Sequence, residues 1–286
     1  MTTADRDPDS DSDTSTDADA ETDLNALDRI DFVARSPARV RMLDALRDGD
    51  RLSRADLRAY LDASRTIVGR NLEGLCERGL VAKVGTDYAL TRAGELIATD
   101  LLDLAETIGI TRKLEPVLQW VPDGALDLDL GCFADAEVLV AKPGDPWSMI
   151  NHQVQSIKTI DDGSWGFLPF TGLHATEANH KRVVDHGAEG ELVLTPEIAD
   201  IHFSDPNYAP LTEEIVETGR FEYFRYDGDL PYALVEIDGV IQIVVADGDQ
   251  PRAMVESDAA PVREWAEEKY ESYKRRSEPI STQARS

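Results

Sequence analysis

Lysine is scarce in this sequence, with seven residues against twenty-two arginines in a chain of 286 whose formal net charge is −27. Cysteine is scarcer still. Cys76 and Cys132 stand far apart, in no spacing that suits a zinc site or a redox pair, and read as two buried or half-buried thiols. No apolar run is long enough to span a bilayer, and no basic start leads into an apolar core like that of a secretory signal. The cytoplasm is therefore the expected location, with no membrane partner. The phosphate-cradling P-loop, the dinucleotide glycine fingerprint and the G-x-S-x-G elbow are also missing. The expectation is a protein that is not an enzyme, without catalytic residues, cofactor or metal. His174, His180 and His186 recur every six residues, which turns each away from the last on a helix instead of forming an i, i+4 zinc pair. His152 and His202 stand singly. Asp127, Asp129, Asp135 and Glu137 read as solvated surface in so acidic a chain.

What is abundant is acid, and its placement matters more than its amount. Residues 1–23 hold nine acids and one base, residues 24–95 eleven acids and thirteen bases, and residues 96–286 thirty-six acids and fifteen bases. These balances are −8, +2 and −21, which sum to −27. Abundant Asp with little Lys suggests a halophilic cytoplasm, where salt screens repulsion within a few Å. One segment alone escapes the acidity, and it includes the stretch that organises the chain.

That stretch runs from Asp62 to Tyr88. Ser64 stands where it caps a helix, with Ile67, Val68, Leu72, Leu75 and Cys76 at inward helical spacing. The other side carries Arg65, Thr66, Arg70, Asn71 and Glu73, side chains that address phosphates and base edges. Gly79 ends the helix, and two short strands meet at the turn Gly85-Thr86-Asp87, with Lys83 and Thr86 near its tip. Upstream, Leu24, Leu27, Ile30 and Phe32-Val33 supply the apolar side of one helix, Ala38–Arg47 forms a second, and Ser53–Tyr60 a third. Three helices, a recognition helix and a hairpin make a winged helix-turn-helix. Arg39, Arg41, Arg51, Arg54 and Arg58 on the supporting helices are candidates for the DNA backbone.

The remaining organisation follows from composition and period. Residues 1–23 are an Asp/Ser/Thr-rich tail expected to be disordered. After the winged domain of residues 24–90, a linker of residues 91–121 places Leu96, Ile97, Leu101, Leu104, Ile108 and Leu114 at helical steps, interrupted near Gly109, and suits pairing with a second copy. Pro122-Asp123-Gly124 marks a boundary. Residues 122–276 alternate strands and helices and then give four strands in succession with Asp-Gly turns at 227, 238 and 247. The fold class is an α+β winged helix-turn-helix domain followed by an α/β domain with a mixed sheet. Residues 277–286 read as a flexible tail.

The runs SRTIVGRNLEGLCERGLV, YALTRAGELIA, LQWVP, AEVLVAKPGDPW, GFLPF, ELVLTPEIAD, RYDGDLPYALVEID and REWAEEKYESYKR resemble archaeal regulators that join an ArsR-like winged helix to a FilR-type effector domain, named after a methanogenesis regulator. The resemblance extends from Leu24 to about Arg276. It implies a DNA-binding transcriptional regulator of haloarchaeal type and supplies no catalytic residues.

The residues and the resemblance together give a dimeric regulator of double-stranded DNA that responds to an unknown small-molecule effector. Its DNA-binding candidates are Ser64, Arg65, Thr66, Arg70, Asn71, Lys83 and Thr86. Its effector candidates are Trp147, Phe170, Tyr226, Asp229 and Tyr232, on loops that follow strands of the second domain. Two other classes stand beside it: a protein-interaction module that uses the winged helix for docking, and a phosphodiester-processing enzyme in the second domain. The spared charge of the winged segment weighs against the first, and the missing motif against the second.

Overall fold

The computed structural model describes residues 26–49, 51–141, 144, 148–159, 161, 163–248 and 250–280. The acidic tail, the loop around Trp147 and the last six residues lie outside them. The chain divides into two compact units, Met1–Glu106 and Thr107–Ser286.

In the first unit, helix α1 (26–34) leads into α2 (Pro37–Arg47), α3 (Arg54–Leu61), α4 (Arg65–Glu77), strands β1 (Val81–Val84) and β2 (Asp87–Leu90), and the start of α5 (Arg92–Leu118). Ser53 begins α3 with a capping box: its hydroxyl accepts from Ala55 and Asp56 N–H while the Asp56 carboxylate takes the Ser53 N–H. Asp62, at φ +47, ends α3, and α4 starts three residues later. Gly79 ends α4 at φ +66, with Leu80 N–H returning to Leu75 O and Gly79 N–H to Cys76 O, the Schellman arrangement. Strands β1 and β2 pair antiparallel from Val81↔Leu90 to Val84↔Asp87, so two residues turn the chain. Gly85 takes φ +68 at the first of them, the conformation a type II′ hairpin requires. Leu52 bridges Tyr88 and adds a third short strand position.

The apolar periodicity of these helices is spent on one core of Val33, Met42, Leu43, Leu46, Leu57, Leu61, Val68, Leu72, Leu75, Leu80, Val81, Tyr88 and Ala98. Burying a Leu of this kind stabilises by roughly 1.5–3 kcal/mol. Only the last turn of α1 takes part. Leu27 and Ile30, expected inside, are 59% and 49% exposed. Ile67, also expected inside, lies on the flank of α4 and is exposed.

Helix α5 runs unbroken through Gly109, where an interruption was expected, because one solvent-facing glycine weakens a helix without ending it. Thr91 caps its start by accepting from Gly94 N–H. Its first turns pack in the first core and Ile110, Leu114 and Val117 in the second, while residues 103–109 are exposed all round.

The second unit is built on an eight-stranded mixed sheet of order β10-β6-β5-β4-β7-β8-β9-β3. Its strands are β3 (Glu137–Val140), β4 (Ser164–Leu168), β5 (Gly190–Leu194), β6 (Phe221–Arg225), β7 (Ala233–Ile237), β8 (Val240–Asp247), β9 (Gln250–Ser257) and β10 (Glu278–Pro279). Strands β4, β5 and β6 are parallel, and the other pairs are antiparallel. Two features differ from expectation. The four successive strands are not one meander, since β6 joins β5 while only β7, β8 and β9 run as hairpins. The turn at Asp238-Gly239, with φ of +49 and +85, is a two-residue hairpin; the one at Asp227-Gly228 instead belongs to a crossover. The C-terminal segment expected to be a tail from 277 supplies edge strand β10, and Ile280 N–H donates to Tyr223 O.

Helices α6 (Ser148–Lys158), α7 (Leu173–His186), α8 (Pro196–Ser204) and α9 (Ala209–Glu217) cover one face, with clusters around Leu194, Ile215 and Tyr223 and around Met149, Val244 and Met254. The end of α5 and α10 (Ala260–Lys274) cover the other, against Phe167, Val193, Leu234, Ile243 and Val255. A sheet with helices on both faces needs apolar residues on both sides of its central strands. The run Ile241–Val245 is accordingly buried without a break.

Candidate nucleic-acid interface

Helix α4 is positioned by its buried arc of Val68, Asn71, Leu72 and Leu75, which leaves the opposite arc free. That arc exposes Arg65, Thr66, Arg70 and Glu73. Among the described residues no carboxylate lies within 4.0 Å of the Arg65 or Arg70 guanidinium or of the Lys83 ammonium. In a chain with fifty-six acids and twenty-nine bases, such cations are open to a phosphate or a base edge. Ser64 is exposed at the N-cap and accepts from Ile67 N–H at 3.4 Å, so its hydroxyl orders the first turn. On the wing, Lys83 and Thr86 are exposed, and the Thr86 hydroxyl donates to Asp87 at 3.1 Å. In this geometry Thr86 offers lone pairs, not a proton, to an incoming ligand.

Asn71 requires a correction. It was expected beside Arg70 on the open arc and is only 2% exposed. Its amide donates to Ile67 O at 3.0 Å and accepts from Arg39 Nε at 3.0 Å, which ties α4 to α2. A buried amide with both ends engaged inside the fold is turned away from a base.

Arg39 is itself part of a stack. Its guanidinium lies 3.7 Å from the Phe32 ring centroid and that of Arg78 lies 3.4 Å from the same centroid. Gly74 makes room for this ring, since a Cβ there would meet Phe32 Cζ at 2.8 Å. Burial, helped by the nearby Arg78 and Arg70 charges, pulls the Arg39 pKa down from its ordinary value. This concentration of positive charge beside α4 is not legible in the sequence, because Phe32, Arg39 and Arg78 come from α1, α2 and the C-cap of α4. Arg54, on α3, donates to the hydroxyl of buried Tyr88 at 2.8 Å and so steadies the wing.

The effector candidates of the second unit do not converge. Trp147 lies outside the described residues. Phe170 packs on the α6 face beside Met149 and Val244. Tyr226 and Tyr232 lie on the α10 face, Tyr226 edge-on to Tyr273 at 5.2 Å and Tyr232 buried with its hydroxyl donating to Ala125 O at 3.0 Å. Asp229 is exposed. An open cleft of about 630 Å³ lies at the other end of the sheet, where β4, β5 and β6 begin, lined by Trp165, Glu191, Arg220, Glu222, Glu236 and Asp238 among others.

Three histidines pair with separate carboxylates: His152 with Glu256 at 2.7 Å, His174 with Glu177 at 3.1 Å, and His180 with Glu214 at 2.7 Å. His202 is 3% exposed, between the hydroxyls of Thr171 at 2.9 Å and Thr212 at 3.3 Å, and burial lowers its pKa to about 4. Among the described residues no group of three or more His, Cys, Asp or Glu is placed to hold a metal ion, and no helix is long and apolar enough to cross a membrane.

Residues 27–113 match the model of the HVO_A0261 N-terminal domain. Residues 146–276 match that of the methanogenesis regulatory protein FilR1, middle domain. No curated protein matches the chain in sequence. Among solved structures, TrmBL2, an archaeal chromatin protein with a novel mode of DNA binding, is similar at 14% identity and a TM-score of 0.39, over 88% of this chain and 99% of that one. Nuc, a phospholipase D family member from Salmonella typhimurium, is similar at 11% identity and a TM-score of 0.41, over 51% of this chain and 99% of that one.

Proposed function

For this chain, which joins an HVO_A0261-type N-terminal domain to a FilR1-type middle domain, we propose the role of an archaeal DNA-binding transcriptional regulator. One observation carries it: the recognition helix of a winged helix-turn-helix presents Arg65, Thr66 and Arg70 to solvent, with no ion partner among the described residues, in the one stretch of an acidic chain with a positive balance. A helix of this kind enters the major groove. Arg70 and Arg65 suit the O6 and N7 acceptors of guanine or the phosphates beside them, and Lys83 on the wing suits the adjacent backbone.

The same reading makes the working form a cytoplasmic homodimer in concentrated salt. Its support is the exposed middle of α5, where Leu104 is 54% and Ile108 59% exposed, and the two-fold symmetry that a winged helix needs to read two half-sites. The second unit then answers a small molecule and alters the spacing of the two recognition helices through α5. The match to the middle domain of a regulator supports that role, and the cleft at the start of β4, β5 and β6 is where we place the ligand. The reading assigns the chain binding, not catalysis.

The direct test is selection of duplexes from a random-sequence pool by the full chain, with Arg70→Ala in parallel. A shared motif with two-fold symmetry is the expected product for the wild type, and its loss is expected for the variant. Recovery of no motif by the wild type, or of the same motif by both, contradicts the reading.

A further inference from the structure

Glycine is a poor choice inside a helix, second only to proline, because it loses the most backbone freedom on folding. Where it persists, something normally needs the space. Two of the α-helical glycines in the first unit obey that rule. A Cβ at Gly74 would meet Phe32 Cζ at 2.8 Å, and one at Gly94 would meet Leu80 O at 1.9 Å.

Gly69 does not. Among the described residues a Cβ built there has nothing within 4 Å, and its φ is not in the left-handed region. Nothing within the fold explains why the middle of α4 forgoes an alanine. Its position on the helix does. Gly69 is four residues from Arg65 and from Glu73, three from Thr66 and one from Arg70, all exposed, so it lies within the open arc that these side chains border. Gly109, the other α-helical glycine with open space among the described residues, lies in the exposed stretch 103–109 of α5, outside the winged helix-turn-helix.

We propose that Gly69 is the point of closest approach between α4 and the floor or wall of the DNA major groove, and is therefore a specificity-determining position. The proposal rests on the DNA-binding reading above. The dimensions make a methyl group matter. The B-DNA major groove is about 12 Å wide, and a helix with its side chains is about 10–12 Å across, so a docked helix has little slack. Without a side chain at position 69 the α4 backbone settles deeper. The shorter reach then lets Thr66 and Glu73 address base edges, Glu73 as an acceptor for a cytosine amino group, while Arg65 and Arg70 engage guanine or phosphate at either side. A deeper seat also explains how an exposed carboxylate is tolerated at the centre of a surface that meets phosphates. At the groove floor Glu73 has a donor to pair with, whereas on a raised helix it would only repel.

The substitution Gly69→Ala separates fold from function because the two effects have opposite sign. In the intact chain it is expected to raise the melting temperature of the N-terminal unit by a few degrees, as alanine for glycine does in an exposed helix. Its affinity for the duplex selected by the wild-type chain should fall tenfold or more, with a further fall in Gly69→Leu as the side chain grows. Affinity unchanged in Gly69→Ala would overturn the proposal and leave the DNA-binding reading intact. So would a lowered melting temperature, because it would show that the fold itself requires the glycine. A wild-type chain that selects no duplex defeats the underlying reading instead, and Gly69 falls with it.

Discussion

The open arc of α4 and the strand-end loops of the second unit contain similar residue types, and the fold treats them in opposite ways. On α4 the charged groups point outward without ion partners among the described residues, and the helix beneath them is fixed by a cap, a Schellman turn and a buried amide. In the second unit Asp229 stays exposed, but other polar groups turn inward and are satisfied there: His202 on α8 lies between the hydroxyls of Thr171, just past β4, and Thr212 on α9, and Tyr232 donates to Ala125 O. A polar side chain free on a rigid element is available to a partner; one that is buried and satisfied holds the fold. The difference separates binding residues from structural ones more sharply than residue type does.

The comparison can be broken at its structural side first. His202 has its pKa lowered to about 4 in the folded chain, against 6.5 in the unfolded one. The unfolded chain therefore takes up a proton through a range in which the folded unit refuses it. Stability from this group is fully present above about pH 6.5 and is lost as pH falls toward 4, by roughly 3 kcal/mol in all. The difference in urea unfolding free energy between wild type and His202→Gln, followed from pH 7.5 to 4, should shrink by about that amount. A difference that stays flat would mean that His202 is not held neutral by the fold.

Asn71 sharpens the boundary on α4 itself. Asn71→Ala removes an acceptor from Arg39 and a donor from Ile67 O, and is expected to destabilise the first unit by about 1–2 kcal/mol. DNA affinity of the folded variant, measured well below its melting temperature, should stay within a few-fold of wild type. A loss as large as that of Arg70→Ala would move Asn71 back among the base readers. The smallest effect belongs to the cap of the neighbouring helix: Ser53→Ala breaks the box with Asp56 and should cost about 1 kcal/mol in thermal unfolding, with no change in the selected motif.

Much of this architecture is legible in the chain because the relevant signals are local. Gly79, Gly85 and Asp238-Gly239 occupy positive φ, which few residues accept, so their turns are written at the positions where they occur. Ser53 and Ser64 mark helix starts for the same kind of reason. What is not legible depends on groups far apart in sequence. Asn71 is polar and borders the open arc, and its burial follows only from Arg39, thirty-two residues earlier. Strand β6 follows the same turn chemistry as its successors, yet its place beside β5 is decided by parallel pairing across a helical connection. Tyr226 and Phe170 both follow strands, but successive positions alternate faces, and the sheet puts them on opposite sides. Leu104 and Ile108 on α5 stand at helical steps that fit either an inner face or a surface for a second copy, and their exposure within residues 103–109 is visible only in the structure.

The central claim is that the unpaired arginines of α4 meet nucleic acid. Fluorescence anisotropy of a labelled selected duplex, titrated with the wild-type chain and with Arg65→Ala/Arg70→Ala across a series of salt concentrations, tests it most directly. The account predicts a loss of at least tenfold, in line with roughly 1–3 kcal/mol for each base-reading arginine, and a salt slope shallower by about one for each of the two that touches phosphate. Equal affinity and equal slope in the two proteins would contradict it.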